Sequence, residues 1–336
     1  MFESTVLTGL ASARPRVITG VGGTWQLGRF GRVRWMLSLS LTSVVCVGLP
    51  PSAQGAAILP VPGRVVFYDD FGGTRVDSAK WYEGPFRILS SPMNNGAIPQ
   101  NLSVHSVPDG PGVVSVLDVA LRGDKYDDGA KDAVRGVIQI PGCTPAVLPS
   151  CYAPASTGKR TGGLLWTTAA FGSGRYEVRM KTMPLGGGCS CIWNYYDPGN
   201  GAYTEIDTEV AANAGQDARP SLVGFNSYAG QDGATNMISD VGTPQNDGRF
   251  HTYRWDWYDG SAGQGPAHID WYVDGVRYAM TNANVPTHPA QLWVGGWPAP
   301  WSGDYAYATQ HLYIDWVKIT SWRGRTEAAE NATAPK

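Results

Sequence analysis

Over residues 174–183 the chain alternates with a period of two: Tyr176, Val178 and Met180 fall on one side, Glu177, Arg179 and Lys181 on the other. Successive side chains of an extended strand point to opposite faces, so this pattern predicts a strand with one buried face. Residues 250–258 repeat the pattern with rings at Tyr253, Trp255 and Trp257. Short apolar runs bounded by Gly, Pro, Asn and Asp predict further strands at 65–71, 113–121, 134–140, 164–170, 189–196, 222–228, 292–297 and 311–321. Two runs, 268–273 and 276–280, flank Asp274-Gly275, the dipeptide favoured in a two-residue hairpin turn. Residues 84–112 are rich in Pro, Gly, Asn and Ser, carry no strong period and read as loop. No stretch keeps a long helical period.

Strands at short intervals with turn residues between them predict an all-β sandwich or barrel. A single domain is expected over 64–322, preceded by a linker at 58–63 that holds Pro60, Pro62 and Gly63. Residues 1–57 read as a secretion leader: Arg14, Arg16, Arg29, Arg32 and Arg34 precede an apolar run from Trp35 to Leu49, and small residues follow at 52–57. The run spans roughly 15 residues, short for a bilayer-spanning helix, so stable membrane insertion is not expected. The expected location is extracellular or periplasmic. Met36 is an alternative start. Residues 323–336 read as a flexible polar tail.

Composition narrows the picture. Charged residues make up 16% of the 336, against a usual ~25%, and the net charge is −2. A nucleic-acid partner would need a basic stripe, and none is present. The chain holds 43 Gly, 13 Trp and 16 Tyr, which suits tight turns and supplies more flat rings than a core demands. Of the five cysteines, Cys46 lies in the leader. Cys143 and Cys151 bracket a Pro-rich loop and are expected to form a disulfide in an oxidising compartment. Cys189 and Cys191 share one face of a strand; a bond between them is expected to be strained, and a metal there would lack a nearby His.

The chemistry concentrates in Tyr203-Thr204-Glu205-Ile206-Asp207-Thr208-Glu209. Ile206 and Thr208 are β-branched and favour a strand, so Glu205, Asp207 and Glu209 project from one face. Like charges this close repel. A solvated acidic edge strand is one reading. The other is a titrating set, with one carboxyl protonated and one ionised, as glycoside hydrolysis requires.

Glu205-Ile206-Asp207-Thr208-Glu209 resembles the E-x-D-x-E signature of glycoside hydrolase family 16, and the resemblance extends along the chain. Residues 174–181, Phe225-Asn226-Ser227-Tyr228, 250–257 with 269–275, and Tyr313 to Lys318 resemble successive strands of that family, in order. The uninterrupted motif is similar to the lichenase and succinoglycan-glucanase side. The resemblance implies a β-jelly roll of two antiparallel sheets with a concave substrate cleft. It implies a retaining endo-glycosidase acting on a β-linked glucan-type polysaccharide by double displacement, with Glu205 as nucleophile, Glu209 as general acid/base and Asp207 between them tuning both. A transglycosylase on the same scaffold and a non-catalytic β-glucan-binding protein are the alternatives.

Tyr203 occupies the slot of a stacked ring, and Trp193, Tyr195, Asn226, Tyr228, Trp297 and Trp301 are expected to bind substrate. Trp255, Trp257, Trp271 and Trp316 are expected in the core, and His251 in a structural role. No cofactor is required. Asp315 matches a family position that can ligate a structural calcium ion, with backbone carbonyls completing the site. A monomer is expected. The sequence departs from lichenases at Tyr203 (Trp there), at Gly224 (Gln there) and at Cys189 and Cys191, so the β-glycan and its linkage stay open.

Overall fold

The structure is a computed structural model. It describes residues 62–84, 97–126, 137–139, 152–154, 160–199, 201–211, 219–230, 233–261, 263–298, 302 and 305–323. The leader, Cys143, Cys151, Trp301 and the tail beyond Arg323 lie outside these residues.

The described strands, in chain order, are β1 (Pro62–Asp69), β2 (Trp81–Glu83), β3 (Leu102–Asp109), β4 (Gly112–Arg122), β5 (Val137–Gln139), β6 (Tyr152–Pro154), β7 (Gly163–Phe171), β8 (Gly174–Lys181) and β9 (Cys189–Tyr196). They continue with β10 (Thr204–Val210), β11 (Leu222–Ala229), β12 (Gly233–Asp240), β13 (His251–Tyr258), β14 (His268–Val273), β15 (Val276–Thr281), β16 (Ala290–Trp297) and β17 (Thr309–Trp322). One sheet has eight strands, in the order β15-β14-β13-β8-β17-β4-β3 with β1 also on β17. The other has seven, in the order β12-β11-β10-β9-β16-β7-β2. All their strand pairs are antiparallel. This is the expected all-β jelly roll of two antiparallel sheets. Among the described residues, no helix is long and apolar enough to cross a membrane.

The core lies between the sheets. Tyr176, Val178 and Met180 from β8 and Tyr253, Trp255 and Trp257 from β13 pack in one cluster with Ile192, Ile206, Phe225, Leu292 and Val294 of the seven-stranded sheet. Burying a tryptophan costs less when its N–H finds a partner. Trp255 Nε1 donates to Asn194 Oδ1 of β9 at 2.9 Å, bridging the two sheets. Trp257 Nε1 donates to the Pro286 carbonyl at 2.9 Å. The β14–β15 hairpin closes as expected: Asp274 and Gly275 take φ of 48° and 82°, the left-handed pair that a two-residue turn requires.

Several expectations are corrected. β3 lies in the segment read as loop, and β2 and β12 were not foreseen; all three sit at sheet edges. The linker is shorter than expected, because Pro62 already pairs with Trp322. Trp316 is not a core residue: the register of β17 against β8 shifts between Ile314 and Trp316. The bulge inserts Asp315, whose carboxylate turns to Arg179 on the outer face, and sets Trp316 opposite Arg179 on that same face, under Lys318.

Candidate active site

β10 runs through the seven-stranded sheet between β9 and β11. Its β-branched Ile206, with Thr204 and Thr208, is buried on one face, and Ile206 belongs to the core between the sheets. Alternation then sends Glu205, Asp207 and Glu209 to the opposite face. The register builds rows across the strands. Glu205 lies between Tyr195 and Tyr228, Asp207 between Trp193 and Asn226, and Glu209 between Cys191 and Gly224.

The three carboxyls open onto a cavity of about 450 Å³, which Tyr203, Trp193, Tyr195, Trp293, Trp297, Ile192 and Cys191 also line. Such a volume suits a ligand of a few rings. An aromatic tier floors it. Trp293 stacks on Trp166 with centroids 4.5 Å apart and on Trp193 at 5.6 Å, and the Tyr195 ring stands edge-on to Trp293 at 6.0 Å.

Each carboxyl has its own environment. The Tyr203 hydroxyl donates to Glu205 Oε2. Asn226 Nδ2 donates to Glu209 Oε2 at 3.0 Å. Burial pushes Glu205 up from 4.5 to about 7; the Tyr203 hydrogen bond opposes the rise and the Glu209 charge adds to it. Burial likewise raises Asp207 well above the carboxylate range, and the Glu205 and Glu209 charges on either side add to that. Glu209 is raised by burial, against the Asn226 hydrogen bond. Burial and the nearby carboxylates also raise the Tyr203, Tyr195 and Tyr228 hydroxyls, so these stay protonated donors at neutral pH. All three acids thus hold their protons more tightly than a solvent-exposed carboxyl does. The face is therefore a proton-holding site and not a solvated acidic edge.

Of the residues singled out from the sequence, the acidic trio, Tyr203, Trp193, Tyr195 and Trp297 come together around the cavity. Asn226 reaches it through Glu209, and Tyr228 turns its hydroxyl to Asn236 Oδ1 at 2.8 Å. Trp293 was missed; its place two residues before Gly295 and four before Trp297 puts all three on one face of β16, a period-of-two signal available in the sequence. His251 is buried between Asp274 Oδ2 at 2.6 Å and Asp247 Oδ1 at 3.1 Å, away from the cavity residues.

The Asp315 carboxylate is engaged by Arg179, which also donates to Asp109 at 2.7 Å. A single carboxylate already held by a guanidinium does not by itself fit a calcium site, and a cation there would compete with Arg179. The structure joins Cys189 and Cys191, whose Cα atoms are 5.3 Å apart, in a disulfide.

A β-jelly roll with three carboxyls on one strand above an aromatic cleft defines a carbohydrate-active class of protein. Comparison with known proteins agrees. The family described as "Glycosyl hydrolases family 16" matches residues 151–318, half of the chain, and the chain belongs to that family. A β-glucanase of Paenibacillus macerans is 35% identical over 161 residues, covering 46% of this chain and 62% of the relative. The chain thus spans about three fifths of the length of such curated relatives. Among solved structures, a β-1,3-1,4-glucanase (lichenase) derived from a mouse hindgut metagenome aligns with a TM-score of 0.53 and 23% identity, covering 75% of this chain and 97% of that one. Bacillus licheniformis β-glucanase aligns with a TM-score of 0.53 and 22% identity, covering 77% and 99%. At these identities the structural matches speak for the fold.

Proposed function

We propose that the chain is a secreted, retaining endo-β-glucanase that hydrolyses a glucan-type polysaccharide by double displacement. The observation that carries this reading is the trio itself: three coupled carboxyls with different donors, on one face of one strand, facing a ring-lined cavity. The names of the curated relatives point to the same substrate class.

In this reading Glu205 attacks the anomeric carbon while Glu209 protonates the departing glycosidic oxygen. The Tyr203 hydroxyl favours the ionised form of Glu205. Burial and the flanking carboxylates favour the neutral form of Asp207, and in that form it adds no like charge beside the Glu205 anion. Glu209, now ionised and steadied by Asn226, then takes a proton from water as it attacks the glycosyl-enzyme ester. Trp193 and Trp297, half-buried at the cavity wall and backed by Trp293, offer rings against which sugars stack. No step uses a metal. The protein acts as a monomer in this reading.

A transglycosylase would share the covalent intermediate and replace water with a sugar acceptor. A non-catalytic glycan-binding protein would have no use for the three acids. Reducing-end release from mixed-linkage β-glucan, laminarin, xyloglucan, succinoglycan, agarose and carrageenan tests the proposal. Release from mixed-linkage β-glucan is expected. Binding to one polymer with release from none would favour the glycan-binding alternative, and products longer than the substrate would favour transglycosylation.

A further inference from the structure

The mechanism leaves two sulfur atoms unused beside its acid/base. Cys191 faces Glu209 directly across the β9–β10 register and lines the cavity. Cys189, two residues earlier on the same face of β9, is fully buried against Trp193 and Trp297. The two sulfurs and a Glu209 carboxylate oxygen all lie within 4.8 Å of one another. The row across the sheet is Gly224, Glu209, Cys191, Gly295. A glycine stands on each side of the pair before the row continues to Ile238 and Leu164, so within the row Glu209 and Cys191 have only each other as an adjacent side chain. A Cβ at Gly224 would meet Glu209 Oε2 at 3.3 Å, so a larger residue there would crowd that carboxylate.

We propose that, when the Cys189–Cys191 disulfide is reduced, the two sulfurs and Glu209 form a binding site for a thiophilic divalent cation, of which Zn²⁺ is the type, and that the bound ion silences the acid/base. A dithiol or phosphine reductant supplies two electrons, and two protons complete the two thiols. Metal binding then displaces both thiol protons and leaves two thiolates and one carboxylate on the ion. Two sulfurs and one oxygen make a three-ligand set with a fourth position open to the cavity, the donor pattern of an accessible tetrahedral site. With its oxygen on the metal, Glu209 can neither donate nor accept a proton. The oxidised pair cannot offer thiolates, so the disulfide form is insensitive to the ion. The silencing clause rests on Glu209 as the acid/base; the binding clause does not.

The test uses the full chain, reduced with a phosphine, freed of reductant without air, and titrated with Co²⁺ as a spectroscopic probe. One equivalent is expected to give a thiolate-to-cobalt charge-transfer band, absent from the oxidised protein and from Cys189→Ala. Glu209→Gln is expected to bind about 10-fold or more weakly. A Cys143→Ser/Cys151→Ser variant should keep the band, which excludes those thiols as its source. Near-ultraviolet dichroism of the buried tryptophans reports whether Cys189→Ala folds; if it does not, the Glu209→Gln titration decides alone. In the activity arm, Zn²⁺ should abolish polysaccharide hydrolysis by the reduced protein, reversibly with a chelator, and leave the oxidised protein unaffected. A band that survives in folded Cys189→Ala, or cobalt affinity unchanged by Glu209→Gln, overturns the site. A normal band with full hydrolysis at saturating Zn²⁺ overturns the silencing. A protein that hydrolyses nothing but binds cobalt as described would instead count against the glucanase reading and leave the site standing.

Discussion

The outward faces of the two sheets obey opposite rules. On the eight-stranded sheet, charges are matched across strands. Arg175 holds Asp256 through both oxygens at 2.9 and 3.0 Å, Lys318 holds Glu177 at 2.8 Å, Arg277 holds Asp270 at 3.0 Å, and Arg179 holds both Asp109 and Asp315. On the seven-stranded sheet, three acids share one strand face, and among the described residues no Lys or Arg pairs with them. Their partners are a tyrosine hydroxyl, an asparagine amide and one another. Opposite charges across a sheet add modestly to cohesion, while uncompensated buried acids cost stability and retain protons. Two faces built on the same alternation therefore differ in what their charges do: one set holds strands together, the other is kept under electrostatic tension for proton chemistry.

That contrast makes the largest expected effect a loss of turnover without a loss of fold. Glu205→Gln should lower kcat by about 10⁴-fold or more in a reducing-end assay, with the near-ultraviolet spectrum unchanged. The same variant should then be more stable than the parent at alkaline pH. Glu205 is raised above its ordinary 4.5 to about 7 by burial, so the folded state favours its protonated form. The associated stability is fully present below about pH 4.5 and is lost as pH rises through about 7, an effect on the order of 3 kcal/mol. Thermal melts at pH 5 and pH 8 should show the parent losing ground to Glu205→Gln at the higher pH. A parallel pair of curves would count against a buried, proton-holding Glu205.

The opposite behaviour is expected on the other sheet. Asp256→Ala removes a buried carboxylate that both Arg175 and Arg254 contact. The expected cost is about 2 kcal/mol, below the range for pairs buried at both ends because the arginines reach solvent. It should appear as a melting temperature lower by several degrees with kcat unchanged. A fall in kcat at an unchanged melting temperature would break the division between the faces. The smallest effect concerns tuning. Asn226→Ala removes the donor that lowers the Glu209 affinity for its proton. kcat should fall about tenfold, and the alkaline limb of the pH–rate profile should move to higher pH, because Glu209 keeps its proton longer.

The sequence made some of this contrast legible and hid the rest, for physical reasons. Interior strands announce themselves because one face must be apolar: Tyr176, Val178 and Met180 on β8, and Tyr253, Trp255 and Trp257 on β13, are fully buried where alternation predicts. The acid trio could be read because a strand period put all three on one side. Edge strands gave no such signal. β12, Gly233 to Asp240, is only half-buried along its length, and β3 holds Pro108 and exposed polar residues, so each looks like loop. A bulge defeats alternation, which is why Trp316 was placed in the core. Trp293 is hard to single out because a tryptophan in an apolar run is most often packing, and only the register beside Trp166 and Trp193 brings it under the cavity rings. The row that brings Cys191 to Glu209 is likewise a matter of strand pairing, invisible in a linear chain.

The most direct test of the central claim is to trap the intermediate. An activated 2-fluoro β-glucoside oligomer, whose fluorine slows breakdown of the glycosyl-enzyme ester, is incubated with the protein, and the digest is examined by mass spectrometry. The account predicts one sugar adduct per chain, carried by the peptide containing Glu205 and attached to that residue, with none on the Glu205→Gln variant. An adduct on Glu209, or hydrolysis that inverts the anomeric configuration and leaves no adduct, would contradict it.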